Sequence, residues 1–268
     1  MSGIDTTASV DPVNGVVKFP GDRYAQLTLN DQILLNLASS HVESECASAA
    51  GVHIDPLDVK PSAVYDISDL FGVWTSDVAN RFAFVPPMTQ ADMKANGISV
   101  DRQQADDSST RTARFYGDLT SDERAIVDEC RESDDWQRFN PGNAYKPGPW
   151  TQPLADAVED ALTSGESKTV IAEYHGCLDS KGLTPDPESP FAVKGANRTV
   201  VSQEQIVLAL DVVACKDETD MVQRLADVVA ERQAPIITEF EAELVASRVK
   251  LDDALTSART YLAERGVL

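Results

Sequence analysis

Apolar positions along this chain fall into helical stripes separated by stretches with no period at all. The first sixteen or so residues are small and polar and read as a flexible lead or tether. Ile33, Leu34, Leu37, Ala38, His41 and Val42 then share one face, with Asn30 as a good N-cap and Gly51 as a stop, which predicts a helix over 31–50. From Val52 to Pro87, prolines, β-branched residues and the aromatics Tyr65, Phe71, Trp74, Phe82 and Phe84 predict loops and short helices, one of them near Ser76 to Phe82. Residues 96–112 have no usable periodicity and are expected to form a mobile surface loop. Thr120-Ser121-Asp122-Glu123 is a helix start signal leading through Ile126 and Val127 to Cys130. A Pro/Gly-rich passage from Asn140 to Trp150 marks the best boundary, giving an N-terminal half over 17–140, a connection over 141–151 and a C-terminal helical half over 152–268.

Helices over 152–164 and 167–181 follow. Ser202-x-x-Gln205 has the form of a capping box and opens a helix through Ile206, Val207, Leu210 and Val213 to Cys215. From Thr219 to Glu264 helical composition is nearly unbroken, with Pro235 as the one interruption, either a kink or a fresh first turn. Beyond it Leu244, Leu251, Leu255, Ala258 and Leu262 follow a seven-residue seam. Straight, the 219–264 span would be roughly 70 Å long at ~1.5 Å per residue. It either folds back on its own domain or protrudes as a docking arm. The pattern as a whole predicts a mainly α-helical bundle with a long C-terminal helix.

One spacing occurs twice. Cys46-x4-Gly51-x3-Asp55-Pro56 and Cys177-x4-Gly182-x3-Asp186-Pro187 each describe a helix that ends on a left-handed glycine before a proline forbids its continuation, with a cysteine about one turn earlier. The four cysteines (Cys46, Cys130, Cys177, Cys215) permit three pairings, or four buried thiols. The repeat favours Cys46 with Cys130 and Cys177 with Cys215, each worth roughly 4 kcal/mol on loop-closure grounds. Such bonds persist in an oxidising compartment, so a secreted or surface-tethered protein is expected.

Composition changes the picture mainly through charge. With 44 acidic against 23 basic side chains the formal net charge is -21, which would repel phosphate backbones and anionic headgroups over most of the surface. Nucleic acid and direct membrane binding are therefore poor expectations. No apolar run approaches the length of a membrane span and no basic-then-apolar leader is seen, so the chain as given reads as soluble.

Catalytic spacings are missing: there is no GxSxG, HExxH, P-loop or GxGxxG. His175, Cys177 and Asp179 splay to different faces of a helix and do not make a metal site, His41 lies on the apolar face of its helix, and His53 sits in a loop. Acid runs such as Asp106-Asp107, Asp134-Asp135 and Asp217-Glu218-x-Asp220 lack calcium-loop spacing and read as solvated charge. No cofactor and no metal are expected. Aromatics in irregular segments are the remaining candidates for a ligand site: Trp74, Trp136, Tyr145 and Trp150, with Tyr145 and Trp150 beside the prolines of the connection as walls of a groove for a sugar or peptide.

Three segments together carry a family resemblance: Tyr174-His-Gly-Cys177-Leu178 with Gly182-Leu183, then Ala209-Leu-Asp211-Val212 with Cys215, then Thr219-Asp-Met221-Val222 and the helix to Leu262. They are similar to a family of secreted or lipid-anchored envelope proteins of actinobacteria whose members carry W-x2-C-M-x3-G-Y, A-x-A-D-V-x-C and T-x-L-V ahead of a long C-terminal helix. Phe71-Gly72-Val73-Trp74 and Glu45-Cys46-x4-Gly51 resemble the first half of the same proteins. Tyr174 replaces the usual Trp, Leu178 the Met, and one extra residue stands between Asp211 and Cys215. The resemblance implies an envelope location, paired cysteines and a lipid anchor on a residue outside this sequence, and it supplies no active site. The expected function is that of a non-enzymatic, cell-surface-tethered binding protein for a cationic peptide or a basic partner surface. Its alternatives are an accessory subunit of an envelope transporter or export complex, and a cell-wall glycan hydrolase using acidic residues.

Overall fold

A computed structural model describes residues 4–58, 68, 70–88, 114 and 116–268. The protein is mainly helical, stapled by two disulfides and closed by a long C-terminal helix. Two compact units divide the chain. Within the described residues one comprises 4–26, 68, 70–88 and 148–244, and the other 27–58, 114, 116–147 and 245–268. Each unit is therefore assembled from separate stretches, and the Pro/Gly passage at 141–151 marks only one of several places where the chain leaves one unit for the other. Local composition marks a break in the chain but not which later segment completes a core.

The first unit begins with a hairpin, β1 (Ser9–Asp11) antiparallel to β2 (Val16–Lys18), with Val10 opposite Val17 and Gly15 at φ +70° in the turn. A free tether was expected over these residues. Asp11 accepts hydrogen bonds from the backbone N–H groups of Val13 and Asn14 and closes the turn, and Val17 is buried. Helix α1 (Pro20–Ala25) follows. Helices α7 (Thr151–Thr163), α8 (Gly165–Ser180), α9 (Gln203–Glu218) and α10 (Met221–Glu239) supply the body, together with α3 (Ser76–Phe82) and the hairpin β3 (Pro185–Asp186) with β4 (Ser189–Val193). Helix α10 is the hub, because Val222, Leu225, Ala226, Val229, Ala230 and Ile237 bury an i, i+3, i+4, i+7 stripe. The buried Gln233 on the same stripe accepts from the Gly21 N–H at 2.9 Å and donates to the Leu154 carbonyl at 3.3 Å, tying α1, α7 and α10.

Pro235 lies inside α10 and does not interrupt it. Pro235 and Glu231 are both exposed residues, a setting in which water can satisfy the carbonyl that loses its helical donor. The break comes at Phe240 (φ −104°, ψ 22°), whose ring packs at 6.2 Å from Trp150 in a cluster with Leu154, Ile237 and Leu244. Tertiary packing, not proline, ends the helix there.

In the second unit α2 (Leu29–Ala49) is the long element. It begins at Thr28 rather than Asn30: Thr28 Oγ1 accepts from the Asp31 N–H at 3.1 Å, and Asp31 reaches back to the Thr28 N–H. Replacing Thr28 with Ala should cost about 1 kcal/mol, read as a lower urea midpoint at unchanged m-value. Helices α4 (Ser121–Cys130), α5 (Asp134–Phe139) and α6 (Pro141–Ala144) pack along α2. The last helix, α11 (Glu241–Glu264), lays Leu251, Leu255, Ala258 and Leu262 against Leu34, Leu35, Leu37 and Ala38, while Leu244 belongs to the Trp150 cluster of the first unit. Arg265 and Tyr261 both donate to the Glu45 carboxylate of α2. Its seam is thus folded back against a core and is not a free arm. The expected mobile loop at 96–112 lies outside the described residues.

Both copies of the Cys-Gly repeat have the same geometry. Gly51 and Gly182 sit at φ +83° and +73°, their N–H groups reach the carbonyls of Ser48 and Asp179, and the next residues, Val52 and Leu183, bond back to Ala47 and Leu178. Cys46 is bonded to Cys130 and Cys177 to Cys215, with Cα atoms 5.8 and 5.6 Å apart. Each unit thus holds one bridge, from the last turns of its cysteine helix to the last turn of a following helix.

Candidate functional site

In the first unit Ser68 and residues 70–74 are pinned from two sides. Ser68 exchanges hydrogen bonds with the backbone of Val17, and its carbonyl accepts from Trp74 Nε1 at 3.0 Å. From below, Lys216 on α9 donates to the carbonyls of Phe71 at 2.5 Å and Val73 at 2.8 Å, on either side of Gly72, whose φ of +65° suits a glycine. Lys216 is 1% exposed and its ammonium lies 5.7 Å from the Tyr174 ring. Burial pulls its pKa down to about 7, and burial also pushes the Tyr174 phenol up. Sequence reading passed over this lysine, yet a signal was there: Ala209, Val212, Val213 and Lys216 fall at i, i+3, i+4 and i+7 on one face of α9, so the lysine continues an apolar stripe.

Above this clamp opens a cleft of about 220 Å³. Its walls are Leu70 and Val73 from the pinned segment, Phe84 and Val85 after α3, and Phe191 and Ala192 from β4. Phe191 stands edge-on to Phe71 at 5.5 Å. Small residues let the walls approach, since Ala79 and Ala83 pack on Ala209 and Val213 of α9. Ala83 turns the chain out of α3 at φ +52° and ψ −114°, a conformation an L-residue rarely adopts, secured by its N–H to the Ala79 carbonyl. Arg198, exposed, is the charged residue of the lining.

A second cleft, of about 470 Å³, opens in the other unit on the Pro/Gly passage. Its lining is amides and charges, with Gln137, Arg138, Asn143, Lys250 and Asp253 among them. Much of its polar capacity is already used: Asn143 Nδ2 donates to Gln137 Oε1 at 2.6 Å and Lys250 to the Asn143 carbonyl at 2.6 Å.

The aromatic candidates divide between the two units, two in each. Trp74 and Trp150 are buried, at 4% and 6% exposure, in two different apolar clusters of the first unit. Trp136 and Tyr145 are half-buried against the Leu34, Phe139 and Leu255 cluster of the second. All four rings contribute packing where they stand, because an indole beside a proline is as able to fill a core as to line a groove. His41 is half-buried, and burial pulls its imidazole down. Among the described residues no group of three or more His, Cys, Asp or Glu side chains could hold a metal ion, and no helix is long and apolar enough to cross a membrane. The disulfides are consistent with an extracellular protein. Comparison with protein-family models, with curated proteins and with solved structures finds no match to this chain.

Proposed function

We propose that the protein is a non-enzymatic extracytoplasmic binding protein, lipid-tethered at the outer face of the cytoplasmic membrane, that recognises a cationic peptide or the basic surface of a partner. The tether and the envelope location rest on the family resemblance. The recognition rests on one observation: acidic side chains outnumber basic ones 44 to 23, and many of the arginines are already held by carboxylates, so the charge facing solvent is mostly negative. Arg114 pairs with Glu123, Arg131 with Glu43, Arg224 with Glu173, Arg232 with Glu166 and Arg265 with Glu45. Helix α7 meanwhile presents the exposed Asp156, Glu159 and Asp160 and carries no Lys or Arg. Such a field steers basic partners and repels acidic ones, within a Debye length of ~8 Å at physiological salt.

Fluorescence anisotropy with labelled decalysine tests this. The full chain should bind it in a salt-sensitive manner, and Asp156→Lys/Glu159→Lys/Asp160→Lys should weaken binding about tenfold at low salt. Equal binding of decalysine and of a neutral decapeptide would refute the reading. Cross-linking on living cells would then identify the partner.

A further inference from the structure

We infer that the cleft of the first unit is a second binding site, for a small amphipathic carboxylate: an apolar body seated between Phe84, Val85 and Phe191, with its carboxylate on Arg198. Four observations carry this. The cleft's volume of about 220 Å³ has room for a body of about seven non-hydrogen atoms at the ~30 Å³ that a water takes in the liquid. Its walls are built from apolar side chains, so a bound hydrocarbon would leave water for a matched surface. The lining is held before any ligand arrives, by the Lys216 clamp on the Phe71 and Val73 carbonyls below and by the T-shaped Phe71–Phe191 contact at its side. Strain is also located here, since Ala83 keeps its positive φ in the cleft wall.

Charge selects the head group. Most described arginines are drawn into ion pairs; Arg198, like Arg124 and Arg259, has no carboxylate partner among the described residues, and of these three it is the one that lines the cleft. A guanidinium left open at the mouth of an apolar cleft offers a planar fork that a carboxylate matches bidentately. The surrounding acidic field opposes any anion at long range, so selectivity must come from this one local contact, with the field screened beyond ~8 Å in physiological salt.

Titration calorimetry with octanoate, octanol and octylammonium as probes distinguishes the outcomes. Octanoate should bind the full chain about tenfold more tightly than octylammonium, with octanol between them. Exposed Arg198 can be changed without disturbing the core: Arg198→Glu should reverse the order of octanoate and octylammonium. Ala192→Trp, which fills the cleft, should abolish binding of all three, and amide shifts on octanoate addition should centre on Gly72, Ala192 and Ala196. Failure of octanoate to bind, equal affinity for the two charged probes, or an unchanged preference in Arg198→Glu would overturn the inference. The decalysine experiment does not involve this cleft, so the two readings stand or fall separately.

Discussion

Replacing Cys46 and Cys130 together with alanine is expected to cost about 4.5 kcal/mol of folding free energy, and replacing Cys177 and Cys215 about 4 kcal/mol. The figures follow from chain separations of 84 and 38 residues, which set how much the unfolded chain is confined by each link. The geometry imposes the loss on different regions. Cys130 terminates α4 and is 4% exposed, and its bridge is what joins that helix to α2 beside the small Ala47, Val52, Ile54, Leu119 and Val127 cluster. Cys215 is fully buried and adjoins Lys216, so cutting the second link loosens the helix that carries the clamp. Urea melts of the two double variants, with thiol titration of the parent before and after reductant, provide the check. Unchanged midpoints would mean that the links do not limit the unfolded chain.

The second large effect is a pH dependence carried by Lys216. In the folded chain its pKa lies near 7, because its ammonium is shielded from water and has only two carbonyls and an aromatic face as partners. In the unfolded chain it returns to about 10.4. Between those values the unfolded state binds one proton more, so raising the pH stabilises the fold by about 1.4 kcal/mol per pH unit. Below about pH 7 both states are charged and the contribution is flat. Lys216→Met removes the titration and leaves the carbonyls of Phe71 and Val73 without their donor, a loss of about 1–3 kcal/mol for each buried acceptor. The stability gap between the parent and Lys216→Met should therefore widen steadily from pH 7 to pH 9.5, while all other titrating groups cancel in the difference. A gap independent of pH would show that the lysine is solvated.

These two features differ in how legible they were from residues alone. The bridges follow from a local spacing: a glycine at C′, a proline beyond and a cysteine one turn earlier are set by backbone sterics, and both copies adopt the same geometry. Starts such as Thr120 and Ser202 are equally local, with a side-chain oxygen accepting from the N–H three residues on. Pro235 and Phe240 show where local reasoning stops, since a proline on an exposed helix face is tolerated and a phenylalanine drawn against Trp150 ends the helix instead. The hairpin at 9–18 was missed for a similar reason, because its two strands of three residues take their order from packing on α10. The burial of Trp74 and Trp150 was not legible either, because burial of an indole depends on which distant helix covers it. The cleft was invisible for the same cause: Leu70, Phe84 and Phe191 are far apart in the chain and only the fold brings them around one space.

Because each body draws its strands and helices from separate stretches of the polypeptide, no single run of codons encodes either one. A protease cut near Trp150 would leave two fragments, each bearing only part of both cores, and neither should refold by itself. Mixing the fragments is the way to recover the native state, and truncation series designed to isolate one unit from the other will fail where point substitutions succeed.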